Sequence, residues 1–435
     1  MKKILKKLLR YDVYYDAIRK SFLYASWKKL SGWLANVMYG SPSKGFFVIG
    51  VTWTNGKTTT VNILHHIFSA LGIKAVMIST ATIKIGNRHM LNEKKMSSLD
   101  VFDLQSILAV AKAEWCKVAI LEVTSIGLEQ SRFEWVEFDV AVLTNITEDH
   151  LDYHKTMDNY ANAKKKLFSY VLKNHKDSAF AVFPKDDSYG RQWAESMTFD
   201  KKITYGVYSS ATLKAVDVQE KVTGTDFGVQ YLGEKYQFHS PLLGVFNVQN
   251  ILAALSVCVD MGMEMKNLID PIATFEWVPG RMDIVEHKGV RYYIDFAHSP
   301  DAIEKTLWYL HGVKAHGRLL VVFGAPGNRD RTKRPKMWVI ADRYADVLIA
   351  TDDDPDTENR YQVLDELTMH IPRTIWDTFA IIPDRRLALE AVVDIAHAWD
   401  IVIICGKWHE MVQWTNLWHR LRNDKKILED ILRTR

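Results

Sequence analysis

With 435 residues, 48% of them apolar and a net charge of only +4, the chain has the size and composition of a globular protein of two or three domains. Its three cysteines, Cys116, Cys258 and Cys405, lie far apart with no C-x-x-C pair, which argues against a disulfide framework or a zinc site. No apolar run is long enough to span a membrane and no signal-peptide cleavage pattern is present, so the cytoplasm is the expected compartment and no nucleic-acid partner is expected.

The first 44 residues carry ten Lys and Arg against only Asp12 and Asp16. Ile4, Leu8, Tyr15, Ile18 and Phe22, with Leu5 and Leu9 beside them, recur at helical spacing. Two readings stay open for this segment. It is either a basic amphipathic helix lying on an anionic membrane surface, or a helix packed on the next domain with a solvated basic face.

From residue 46 the pattern alternates strand and helix, which predicts an α/β fold with a mostly parallel sheet. Strands are expected at 46–51, 74–80, 117–124, 139–145 and 178–183, with helices at 57–71, 100–114, 157–173 and 246–262. A β-rich stretch covers 203–243. After Val278-Pro279-Gly280 a second α/β series begins, with strands at 292–296, 319–323, 347–351 and 401–405. The predicted organisation is a short basic segment (1–45), a P-loop central domain (46–280) and a Rossmann-like C-terminal domain (281–435).

Between the first strand and its helix stands Thr54-Asn55-Gly56-Lys57-Thr58-Thr59, a phosphate-binding loop. Its backbone N–H groups and the helix N-terminus suit the phosphates of ATP, Lys57 suits the β- and γ-phosphates, and the Thr58 hydroxyl suits Mg²⁺. Trp53 stands at the crown of this loop, where glycine is expected because backbone must approach phosphate closely. Glu122 closes the strand at 117–124. Asn145 and His150 follow the strand at 139–145, at the sheet edge where α/β folds bind ligands. Glu122 and His150 are the expected metal ligands beside the phosphates.

These blocks resemble the Mur ligase family, most of all the type that adds the third amino acid to UDP-N-acetylmuramoyl-dipeptide. The matching blocks are 54–60, 122–125 with 127–132, 145–154, 160–164, 246–250, 278–282, 295–298, 328–330 with 333–335, and 406–407 with His409-Glu410, all in family order. The resemblance implies an ATP-dependent ligase of peptidoglycan precursor synthesis that passes through an acyl phosphate. It implies that Lys164 is carbamylated and helps Thr58, Glu122 and His150 hold Mg²⁺. It assigns Asn247, Arg281, Asp295 and His298 to ATP, and Ser97, Ser98, Thr124, Gln130 and Arg132 to the muramoyl peptide. Arg329, Gly406 and Glu410 fall to the amino acid.

Three departures from the family stand out. The N-terminal uridine-binding domain is missing or reduced, so a nucleotide-linked or a lipid-linked muramoyl peptide, or a non-murein acid, are all open as substrates. The family loop Asp-Asn-Pro-Arg, whose Arg pairs with the distal carboxylate of diaminopimelate, reads Asp353-Asp354-Pro355-Asp356 here. An aspartate pairs with an ammonium and not with a carboxylate, which predicts L-lysine or L-ornithine as the incoming amino acid. Finally, Trp53, Trp115, Trp135, Trp277, Trp338, Trp399 and Trp408, half of the 14 tryptophans, fall where the family has glycine. UGA specifies tryptophan in some genetic codes and glycine in others, so one cause fits all seven: codons read as glycine in the source and written as tryptophan. The 22 glycines make up about 5% of the chain, below the usual ≈ 7%, and the same substitution explains the shortfall. If Trp53 is instead genuine and blocks the phosphates, the chain is an inactive ATP-binding homologue.

Overall fold

The computed structural model describes residues 22–435 except 81, 93–97, 175, 277, 279, 370–377, 408–411, 415–418 and 422. The positions assigned to Ser97, Glu410, Trp277 and Trp408, and the apolar repeat upstream of Phe22, lie outside the described residues.

Eleven strands among the described residues form the first sheet; the central ones are short apolar runs buried on both faces, as expected where helices cover both sides of parallel strands, and the outer ones are partly exposed. The strands are β1 (Phe47–Thr52), β2 (Ala75–Ile78), β3 (Thr82–Ile85), β4 (Arg88–Leu91), β5 (Val118–Glu122), β6 (Val140–Leu143), β7 (Phe180–Pro184), β8 (Lys202–Gly206), β9 (Leu213–Lys221), β10 (Gly224–Tyr231) and β11 (Glu234–Ser240). Their order is β11-β10-β9-β8-β7-β6-β1-β5-β2-β3-β4. The centre, from β2 to β9, is parallel. Antiparallel hairpins extend both ends. Because β1 lies between β5 and β6, the chain winds away from it in both directions, and the loop after β1 opens at the topological switch point.

The second sheet comprises β12 (Asp283–His287), β13 (Val290–Asp295), β14 (Leu319–Phe323), β15 (Val347–Ala350), β16 (Phe379–Ile381) and β17 (Ile401–Cys405), in the order β12-β13-β17-β14-β15-β16. Only the edge strand β12 is antiparallel. Here β17 lies between β13 and β14, so the turns after β13, β14, β15 and β17 come together at one edge.

The two sheets meet over the loop after β1. Asn55 Nδ2 donates to Asp301 Oδ2 at 2.8 Å, at the start of the helix Pro300–Val313, and Ser299 Oγ donates to Asn55 Oδ1 at 3.4 Å. Lys333 lies 3.6 Å from Asp149 and Lys336 pairs with Glu148 at 2.6 Å.

Candidate active site

The helix Lys57–Ala70 begins directly behind Gly56, which has φ +90°. A Cβ at Gly56 would lie 2.3 Å from Asn250 Oδ1, so both the conformation and the space demand glycine there. Asn145 clamps the loop: its Oδ1 accepts from Asn55 N and its Nδ2 donates to Asn55 O, each at 3.1 Å. Thr54 Oγ1 donates to Thr147 O and contacts the Tyr160 hydroxyl, both at 3.1 Å. Thr54 and Asn145 thus spend these contacts on holding the loop in shape. Trp53 does not stand free over the loop. Its indole is fully buried in the core among residues such as Val51 and Val61, and its N–H has no hydrogen-bond partner.

Lys57 Nζ donates to Trp53 O at 3.2 Å and Thr54 O at 3.0 Å. Burial pushes its ammonium below its ordinary pKa, while Glu122 and Asp149 pull the other way. Thr58 Oγ1 lies 3.4 Å from Glu122 Oε2, bringing together the hydroxyl and carboxylate that the sequence reading pairs. Thr80, which that reading missed, bonds both oxygens of Glu122: its N–H reaches Oε2 at 2.9 Å and its hydroxyl Oε1 at 2.7 Å. Thr80 and Glu122 stand 42 positions apart in sequence, which leaves no local signal of this contact.

His150 has left-handed φ (+55°), which turns the chain sharply after β6, and its Nε2 lies 3.7 Å from Asp149 Oδ2. Burial, opposed by Asp149 and reinforced by Lys57 and Lys164, lowers its pKa and favours the neutral, ligating form. Burial pushes the Asp149 carboxyl up, but the neighbouring His150, Lys333 and His298, with the hydrogen bond from His150 N, outweigh it and hold the group below the ordinary carboxylate range. His298, with Nδ1 on Phe296 O at 2.8 Å, is driven down to about 3 by burial and then by Lys333.

Lys164 separates from its two lysine neighbours: it is fully buried, whereas Lys166 is exposed. Its Nζ lies 4.4 Å from the Tyr160 ring centre. Burial, then Lys57, pushes its pKa well below the ordinary value, which favours the neutral amine. Thr58 and Glu122 offer the hard oxygen donors that suit Mg²⁺, which keeps several waters and needs few protein ligands, and His150 adds an imidazole nearby. Among the described residues no three His, Cys, Asp or Glu side chains cluster as a metal cage.

Asn247 and Arg281 line a cleft of about 520 Å³ with Leu242, Phe275 and Lys425. The Arg281 guanidinium lies 5.0 Å from the centre of the Phe296 ring. Asp295 is buried, and its two oxygens accept from Met282 N and Ala297 N at 2.8 Å, so its visible role is to hold the turn beside this cleft. On the other side of Glu122, Ser98 Oγ contacts Thr124 Oγ1 at 2.7 Å and accepts from Thr124 N at 3.0 Å. Arg132 reaches both Ser98 O and Gln130 Oε1. Four of the five residues assigned to the muramoyl peptide therefore form one connected cluster. In the second sheet, Lys407 Nζ bonds Asp354 Oδ1 at 2.5 Å and lies 4.0 Å from Asp353. Gly406 (φ +101°) brings the chain within reach of Asp353. Asp356 Oδ2 accepts from Asn328 Nδ2 at 2.9 Å, beside the exposed Arg329.

A phosphate loop at the switch point of one parallel sheet, facing the carboxyl edge of a second, defines a nucleotide-dependent α/β enzyme of two domains. Residues 51–258 match the Mur ligase middle domain and residues 280–408 the Mur ligase, glutamate ligase domain. The chain is similar to the UDP-N-acetylmuramoyl-L-alanyl-D-glutamate--2,6-diaminopimelate ligase of Syntrophomonas wolfei, 32% identical over 92% of this chain and 81% of that one. The ligase of the same name from Geobacter sulfurreducens is 36% identical over 87% and 77%. A solved structure of such a ligase aligns with TM-score 0.63 and 31% identity over 89% of this chain and 78% of that one. MurF from Thermotoga maritima in complex with ADP shares the fold, at TM-score 0.68 and 18% identity over 92% and 84%. The chain belongs to the Mur ligase family and is an ATP-dependent, amide-forming ligase. No described helix is long and apolar enough to cross a membrane.

Proposed function

We propose that this ligase joins a basic amino acid, L-lysine or L-ornithine, to the terminal carboxylate of a muramoyl dipeptide. The γ-phosphoryl group of ATP passes to that carboxylate, ADP leaves, and an acyl phosphate forms. The amine of the incoming amino acid attacks the acyl carbon, a proton is lost, phosphate departs and the amide remains. Bringing two anions together is the main obstacle, and Lys57 supplies positive charge at the phosphates. Bound Mg²⁺, held by Thr58, Glu122, His150 and a carbamylated Lys164, would supply more. Carbamylation suits an amine whose pKa burial lowers. Ser98, Thr124, Gln130 and Arg132 orient the peptide. Asn247 and Arg281 take the adenosine end of ATP, with Asp295 and His298 fixing the adjoining turn.

The observation that carries the amino-acid assignment is the acidic loop at the edge of the second sheet. Lys407 offsets Asp354 and lies near Asp353, which leaves Asp356, held by Asn328, to meet a distal ammonium. Arg329 then receives the α-carboxylate. Amino-acid-dependent phosphate release tests the assignment: lysine or ornithine should turn over faster than diaminopimelate, and Asp356→Arg should reverse the order. Faster turnover of diaminopimelate by the unaltered chain refutes it.

A further inference from the structure

The helix Phe22–Met38 is amphipathic the wrong way round. Its small and polar residues, Ser31, Gly32 and Ala35, face the protein and are buried. Its large apolar residues Trp27, Leu30, Trp33, Leu34, Val37 and Met38 face outward and are between 43% and 69% exposed. At 100° per residue these six share one continuous half of the helix. The orientation is fixed by polar pins: Lys28 lies 3.6 Å from Asp100 and Lys29 3.4 Å from Glu134.

A contiguous apolar face of this size on a charged protein marks a surface that something covers. Charge identifies the occupant. Lys29 stands at the rim of the face, and the 21 residues that lead into the helix hold seven Lys and Arg against two Asp. Two outward tryptophans flanked by cations are the composition of a helix lying in a membrane interface, the indoles at the headgroup level and the cations on anionic lipid. The geometry points to an anionic lipid surface as the partner of this face, which would hold the active site next to a membrane. This inference is independent of the amino-acid assignment.

Co-sedimentation of the full chain with vesicles tests it. Binding to phosphatidylcholine–phosphatidylglycerol vesicles is expected, with little binding to phosphatidylcholine alone and weakening in high salt. Trp27→Ser with Leu34→Ser should lower the anionic-vesicle partition by roughly tenfold or more, the effect of withdrawing large apolar side chains from burial, while ATP turnover in solution stays unchanged. Equal pelleting of the two proteins overturns the inference. So does a dimer that the same two substitutions dissociate, since a second copy would then cover the face.

Discussion

Three long helices of the first domain end on the same device, and one of them carries the wrong residue for it. After Lys57–Ala70, the N–H of Gly72 bonds Ser69 O and that of Ile73 bonds Phe68 O; after Val245–Asp260, Gly262 and Met263 do the same to Val259 and Cys258. After Val101–Ala113, Trp115 bonds Lys112 O and Cys116 bonds Ala111 O. All three are Schellman ends, whose left-handed position is the natural place for glycine. Gly72 and Gly262 take φ +73° and +86°; Trp115 takes +62° with its indole 78% exposed, so no packing repays the strain. The short helix Ser125–Glu129 ends the same way with Ser131, which shows that a side chain is tolerated at a cost. The lesson is that the backbone at residue 115 is a glycine backbone.

Of the other described family-glycine positions, three point the same way and Trp135 does not: its φ is not left-handed and its indole N–H donates to Lys29 O at 3.1 Å. Trp399 has φ +77° in the four-residue turn closed by Asp400 N on His397 O, and Trp115 and Trp399 are the only tryptophans with positive φ among the described residues. Trp53 and Trp338 are fully buried with unpartnered indole N–H groups, a cost that native cores avoid. Trp193, which is not one of the seven, shows neither fault and packs edge-on against Phe168 at 5.6 Å. The contrast at Trp115, Trp399, Trp53 and Trp338 is the one expected if their codons are UGA read as glycine. Intact mass gives an all-or-none result: protein made in its own cells should be lighter by seven tryptophan-to-glycine differences. A mass equal to that of the written chain breaks the comparison outright.

The next effect is on nucleotide binding. Glycine at 53 frees the loop to turn its N–H groups toward phosphate, whereas the present loop offers carbonyls to Lys57. Trp53→Gly should tighten ATP binding by about tenfold, or roughly 1.4 kcal/mol, measured by calorimetry. Weaker binding, with a fall in unfolding temperature from a new cavity, would mean that Trp53 is a genuine core residue.

Much of this was legible in the sequence, and the misses have physical reasons. The strands 319–323 and 401–405 are legible to the residue because each is a continuous apolar run between a charged residue and a glycine, which leaves little choice. The phosphate loop is legible because it is a short, dense block, whereas Ser98, Thr124, Gln130 and Arg132 are named together only by the family resemblance and prove to be hydrogen-bonded to one another. The hairpin β3–β4 was missed although Ile83-Lys84-Ile85 alternates and Gly86-Asn87 marks a turn. Contacts between distant segments left no local trace: Thr80 on Glu122, Lys333 on Asp149 and Lys407 on Asp354 depend on which strands the fold makes neighbours. The inverted polarity of the helix Phe22–Met38 was likewise invisible, because an apolar stripe in sequence does not say which way it faces.

The smallest effect tests the helix ends themselves. A non-glycine residue in the left-handed region costs about 1–2 kcal/mol, against about 0.5–1 kcal/mol of extra unfolded-state entropy when glycine is introduced. Trp115→Gly should therefore stabilise the protein by up to about 1 kcal/mol, since an indole this exposed gives up little burial. Trp115→Ala keeps the strain and should gain nothing. Gly72→Ala runs the comparison backwards: nothing lies within 4 Å of its Cβ position, so any loss is conformational, and about 1 kcal/mol is expected. Denaturant midpoints for the three variants decide the matter. Equal stability of Trp115→Gly and Trp115→Ala would show that residue 115 does not pay for its backbone, and the analogy between the helix ends would fail.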